Sequence, residues 1–197
     1  MERSAVQDRV TPLDAGAAVD PHREAIRAEQ VRLLYAQLPS ALIGTTIVGA
    51  LVLLVLWRHV PQAWLVGWGL ALGITTALRV MLRRAYFRDA VADVDAPVWA
   101  RRFLVGALVS GMVWGVAGVF PIRNGAQLEE LFLLFVLAGL AAGGMSTLSS
   151  YRGAYAAFLL PAIVPFSVNL LTREGSIYLA MSAIMAVFVV LMSVIFA

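Results

Sequence analysis

Cysteine and lysine are absent from the 197 residues, and histidine occurs only as His22 and His59. Without cysteine there is no disulfide framework, no thiolate metal site and no cysteine nucleophile, and nothing is said about redox compartment. The two histidines form neither an HExxH pair nor a bis-histidine haem site, and GxSxG is missing as well. Charge is scarce too, at 14% of residues against roughly a quarter in soluble domains. In its place, 61% of the chain is hydrophobic and the mean hydropathy is +0.85. A 21.2 kDa chain cannot turn that much apolar surface inward, which excludes a soluble globular enzyme and hands the excess to lipid.

The net charge of +3 comes from 15 arginines scattered between apolar runs. That pattern makes no basic groove for nucleic acid, and the positive-inside rule explains it better by setting arginine on the cytoplasmic side of a membrane. The sequence therefore predicts an all-α, polytopic membrane protein: six transmembrane helices in one bundle, preceded by an amphipathic helix at the cytoplasmic interface.

Residues 1–21 mix charges, prolines and small residues without period and read as a disordered cytoplasmic tail. Over 22–38, Ile26, Leu33, Leu34 and Leu38 share a helical face that Arg23, Glu24, Arg27 and Glu29 avoid, which predicts the interfacial helix. The six-helix domain, 39–197, has spans at about 39–57, 63–82, 103–120, 129–150, 155–171 and 177–197, each near the roughly 20 residues a crossing needs. The longest connection, Arg83 to Arg102, carries Arg83, Arg84, Arg88, Arg101 and Arg102 and is expected to be cytoplasmic. Alternation from there sets both termini in the cytoplasm. The final run ends at Ala197 without a polar cap, so an output domain is expected after it.

Few residues inside the spans carry chemistry. Arg79 is the one charge well within a span, about a turn from its cytoplasmic end, and its long side chain is expected to snorkel to the headgroups, a buried ligand or gating role being the alternative. Glycines recur at the spacing that lets helix backbones approach: Gly69 with Gly73, Gly111 with Gly115, Gly139 with Gly143. They predict close packing within one bundle, a dimer seam being the alternative. Pro161 and Pro165 bend the fifth span and offer a hinge. In the outer half, Trp64, Trp68 and Trp114 offer apolar walls and Asn169 a donor and an acceptor, the makings of a small-molecule pocket. Ser146, Thr147, Ser149 and Ser150 are expected to hydrogen-bond helix backbone. No catalytic residue and no metal site are expected in 1–197.

Certain stretches resemble a known family: Glu29 to Pro39 (EQVRLLYAQLP) with a first span ending in Trp57, Leu78 to Arg88 (LRVMLRRAYFR), Trp99 to Gly118 (WARRFLVGALVSGMVWGVAG), and SSYRGAYAAFLLPAIVP through Pro165. Together they resemble the MASE-like membrane-associated sensor domains of bacterial GGDEF diguanylate cyclases and hybrid sensor histidine kinases. The resemblance implies an input and dimerisation module in the bacterial inner membrane. It also implies a homodimer, contact with membrane lipid, a small-molecule or lipid-phase signal, and a cytoplasmic output enzyme. No cofactor is expected in this segment; GTP or ATP with Mg belongs to the output domain. A small transporter or permease subunit is the alternative, since glycine-rich spans and a proline-broken helix also occur in carriers.

Overall fold

Six α-helices follow one another: α1 Pro21–Leu56, α2 Gln62–Arg88, α3 Ala96–Ala117, α4 Gln127–Leu148, α5 Arg152–Leu171 and α6 Ser176–Phe196. This computed structural model describes residues 21–88, 95–122, 127–148, 152–173 and 175–196, among which there is no strand. Residues 1–20 of the expected tail, together with Arg123, Ser149, Ser150 and Ala197, lie outside the described residues. Five helices are long and apolar enough to cross a membrane: Ala28–Leu56, Gln62–Arg88, Ala96–Ala117, Gln127–Met145 and Gly153–Leu171. The described apolar stretch of α6, Ser176–Leu191, is shorter. Large side chains face outward without a protein partner, among them Leu54, Phe135 and Leu70, which are 76%, 72% and 63% exposed. An exterior of this kind suits hydrocarbon rather than water.

The first expected boundary is not a break. The lead-in at 22–38 and the span at 39–57 form one 36-residue helix, about 54 Å long and well beyond the ~30 Å hydrocarbon core. Its inward face is also shifted from the one expected. Leu34 and Leu38 are buried, but Ile26 and Leu33 are exposed, and Val31, Tyr35 and Leu42 complete the buried stripe. That stripe packs on protein: the Tyr35 ring stacks on Tyr86 of α2 at 4.2 Å and meets Trp99 and Phe103 of α3 edge-on at 6.1 and 5.4 Å. The Tyr35 hydroxyl donates to the Trp99 carbonyl at 3.1 Å. The same packing extends the neighbours. Instead of a loop from Arg83 to Arg102, α2 continues to Arg88 and α3 begins at Ala96, since Tyr86 and Trp99 must both be helical to flank Tyr35.

Pro39 lies within α1 and has no N–H to give the Tyr35 carbonyl four residues before it. Arg83 of α2 fills the gap, its Nε donating to that carbonyl at 3.1 Å. One arginine thus completes a backbone ladder that proline left open.

The tightest seam joins α3 to α5. A β-carbon at Gly111 would collide with the Phe158 carbonyl, and one at Gly115 with the Pro161 carbonyl. The second contact follows from sequence: Pro165 cannot donate to the Pro161 carbonyl, so that oxygen is released from the α5 ladder and faces the side-chain-free surface of Gly115. Gly118, one turn on, likewise has no room for a β-carbon beside Phe166. Pro161 and Pro165 are thus held under the α3 glycines. α6 joins the bundle through α5.

The other expected glycine contacts differ. Gly69 meets only the side chain of Leu53, whereas a β-carbon at Gly73, Gly139 or Gly143 would meet nothing within 4 Å. Spacing brings two glycines to one helical face, but where that face points depends on the rotation of the whole helix, and Gly139 and Gly143 border open space rather than a neighbouring helix.

Candidate functional site

The four residues expected to border an outer pocket do not share one cavity. Trp64 and Trp68 line a shallow depression of about 430 Å³ with Ala63, Gly67, Ala71, Val113 and Val116. Trp114 is wholly buried behind it, edge-on to Trp68 at 5.2 Å, because small residues on α3 let α5 close over that side. Trp68 spends its indole N–H on the Val113 carbonyl at 2.7 Å. Asn169 donates its side-chain N–H to the Gly118 carbonyl at 3.1 Å, satisfying an oxygen left without a helical partner where α3 ends. These are packing and capping roles.

A larger opening lies on another face. α1 and α4 are joined at one end of the bundle, where His59 Nε2 meets a Glu129 carboxylate oxygen at 3.0 Å; beside it Arg173 pairs with the nearly buried Glu130 at 3.3 Å. Elsewhere between α1 and α4 runs a groove of about 640 Å³. Leu38, Ala41, Gly44, Thr45, Val48 and Leu51 form its α1 wall, and Phe132, Phe135, Val136, Gly139, Leu140, Gly143 and Thr147 its α4 wall; Phe103 of α3 and Phe158 of α5 lie deeper. Gly44 on one wall and Gly139 and Gly143 on the other have no neighbour where a side chain would be, so the groove is open sideways at their level.

Arg79 reaches into this groove from α2. It does not snorkel. Its Nη1 donates to Ser110 Oγ at 3.4 Å, and the guanidinium carbon lies 5.3 Å from the centre of the Phe103 ring. Ser110 is about 12 Å along α3 from Arg102, so the charge points toward the middle of the bundle rather than to its arginine-rich end. Packing explains the direction: the stem lies along Gly106, with Cγ 3.7 Å from where a β-carbon there would be. Ser110 gives its own proton to the Gly106 carbonyl at 2.8 Å, which turns a lone pair toward Arg79.

The guanidinium carries five N–H donors. Among the described residues it has that one hydrogen bond and no carboxylate partner; the ion pairs are Arg32 with Glu29, His59 with Glu129 and Arg173 with Glu130. A charged side chain in the middle of a membrane helix costs about 3 kcal/mol even on the most lenient scale. Arginine keeps its proton, so the residue cannot relay protons; what it can do is hold an anion or a carbonyl. Among the described residues there is no cluster of three or more His, Asp or Glu that would hold a metal ion.

Of this site the sequence exposed one element, Arg79, as the lone charge inside a span. Thr147, expected to bond helix backbone, does so with the Gly143 and Gly144 carbonyls at 3.4 and 3.3 Å. Thr45, Gly44 and the α4 aromatics gave no signal, because a groove wall and a lipid-facing surface have the same composition.

Fold and groove together define a helical protein of the multi-pass membrane type, with an apolar lateral groove and a single cation in it. Compared with family models, with curated proteins and with solved structures, the chain finds no match in any of the three.

Proposed function

We propose that the chain is the membrane-embedded sensory input and dimerisation module of a bacterial signalling protein. In this reading it crosses the inner membrane six times, α6 included, with both termini cytoplasmic. It adjusts a cytoplasmic diguanylate cyclase or sensor histidine kinase, which would use GTP or ATP with Mg. The observation that carries the reading is the laterally open groove with one guanidinium that has no acid partner among the described residues, a place where something dissolved in the membrane can bind. A carrier coupled to protons or ions needs titratable or anionic groups near the membrane centre, and Arg79 is neither. The resemblance of Glu29 to Pro39, Leu78 to Arg88 and Trp99 to Gly118 to MASE-like sensors supports the same reading. So does the arginine-rich end formed by Arg83, Arg84, Arg88, Arg101 and Arg102, which favours that end as cytoplasmic. The apolar outer faces of α6, with Leu179 and Ile184 each more than 60% exposed, offer a second copy a surface.

The test is made in the full-length signalling protein. Replacing Gly143 by phenylalanine fills the groove opening without touching the α3–α5 seam, and output activity in membranes should shift severalfold relative to the native protein at equal expression. Unchanged output would refute the sensory role of the groove.

A further inference from the structure

We infer that this groove, taken as the ligand site of the sensory reading above, binds a long-chain fatty acid with its carboxylate on Arg79. Charge complementarity identifies the head. The guanidinium is held between Ser110 and Phe103, has no acid partner among the described residues, and presents its remaining N–H donors to an otherwise apolar cleft. A planar carboxylate matches that fork through two parallel hydrogen bonds and neutralises the only charge there. On the α1 wall, the Thr45 hydroxyl makes no hydrogen bond among the described residues and can serve as an additional donor.

Shape identifies the tail. Along α1 the groove runs from Leu34 to Leu51, roughly 25 Å at the helical rise, and its volume of about 640 Å³ falls in the range of roughly 300–1,000 Å³ usual for small-molecule sites. Apart from Arg79, Ser40, Thr45 and Thr147, the lining is aliphatic, aromatic or glycine. A long, apolar groove with one cation part-way along it fits an acyl chain with a single anionic group.

Charge state separates a fatty acid from a phospholipid. The Arg79 guanidinium bonds Ser110, about two turns along α3 from Arg102, and so is turned away from the arginine-rich end and into the groove. A carboxylic acid enters hydrocarbon as its neutral form and ionises beside Arg79, releasing its proton to the aqueous phase; a phosphodiester has no uncharged form at neutral pH and stays at the surface. Entry is from the side, past Gly44, Gly139 and Gly143, which among the described residues have nothing within 4 Å of where a β-carbon would be.

The experiment uses the chain in nanodiscs of phosphatidylcholine, a diazirine-bearing palmitate as photoreactive probe, and mass spectrometry to map the labelled residues. Labelling is expected within 34–51 of α1 and 132–148 of α4. Excess palmitate should remove it. Hexadecanol, with the same tail and no charge, should compete about tenfold or more weakly, the weight of a charge-assisted hydrogen-bonded pair. Arg79→Gln should abolish groove labelling; should that variant not fold, Gly143→Phe, which keeps the charge and fills the opening, must abolish it instead. Equal competition by hexadecanol, or unchanged labelling of a folded Arg79→Gln, would overturn the proposal. Phosphatidylglycerol competing as well as palmitate would also overturn it and assign the groove to a two-chain anionic lipid. Cross-linking of α1 to α4 of a second copy, without probe labelling, would overturn it in favour of a dimer contact. The two readings fail separately. Palmitate bound without any effect on output defeats the sensory role alone, whereas output altered by Gly143→Phe with no palmitate bound defeats the ligand assignment alone.

Discussion

Replacing Gly115 by alanine adds one methyl group at the closest approach in the molecule. Its carbon would overlap the Pro161 carbonyl oxygen and lie 3.1 Å from Pro165 Cγ and 3.2 Å from the Pro161 carbonyl carbon. None of these atoms can rotate aside, since two belong to the backbone and the third to a proline ring. The helices must separate, opening the seam over Trp114, Phe158 and Phe166. Overpacking of this kind costs typically about 1–3 kcal/mol, and alanine returns up to about 1 kcal/mol of helix propensity. The net loss is about 1–2 kcal/mol, a fall in melting temperature of roughly 2–8 °C at the ~2–4 °C per kcal/mol of a chain this size. Gly143→Ala is the matched control: the same methyl on another glycine of the GxxxG spacing meets nothing within 4 Å. It should leave the melting temperature unchanged or raise it by up to about 4 °C, by propensity alone. Thermal unfolding of the detergent-solubilised chain, followed by intrinsic fluorescence, measures both. A Gly115→Ala protein melting at or above the native temperature, or an equal drop in Gly143→Ala, would refute the assignment of the close approach to α3 and α5.

Arg83→Met should cost about 1–3 kcal/mol in the same assay, because the Tyr35 carbonyl loses its only donor. In a Pro39→Ala background the helix itself supplies that donor, so the cost of Arg83→Met should shrink to near zero, and a double-mutant cycle showing no such coupling would be the contrary result. Arg173→Met leaves Glu130, 6% exposed, as a buried carboxylate without its cation and should destabilise by about 3–5 kcal/mol, while the double variant with Glu130→Gln recovers most of it. Equal stability of the single and double variants would mean that the pair does not matter.

The helical class was legible in the sequence, as were five of the helices long and apolar enough to cross a membrane, since apolar runs of that length leave a backbone in lipid no alternative to satisfying itself internally. The sequence also marked Arg79, because one charge among so many apolar residues stands out by composition alone. What these parts face was set by packing. The GxxxG pairs are identical as text, yet Gly111 and Gly115 meet the carbonyls of Phe158 and Pro161 while Gly139 and Gly143 border the open groove. Helix rotation, fixed by all the neighbours at once, is not written in any local pattern. The continuity of α1 through Pro39 depends on Arg83, 48 residues away, and so could not be read from the proline's own surroundings. Trp114 and Asn169 took packing and capping roles because α5 lies over α3, a pairing that sequence order does not dictate. Arg79 illustrates the division most simply: its charge is written in the chain, but whether the side chain runs to the headgroups or into the bundle was settled by Gly106 making room and Ser110 offering an acceptor on another helix.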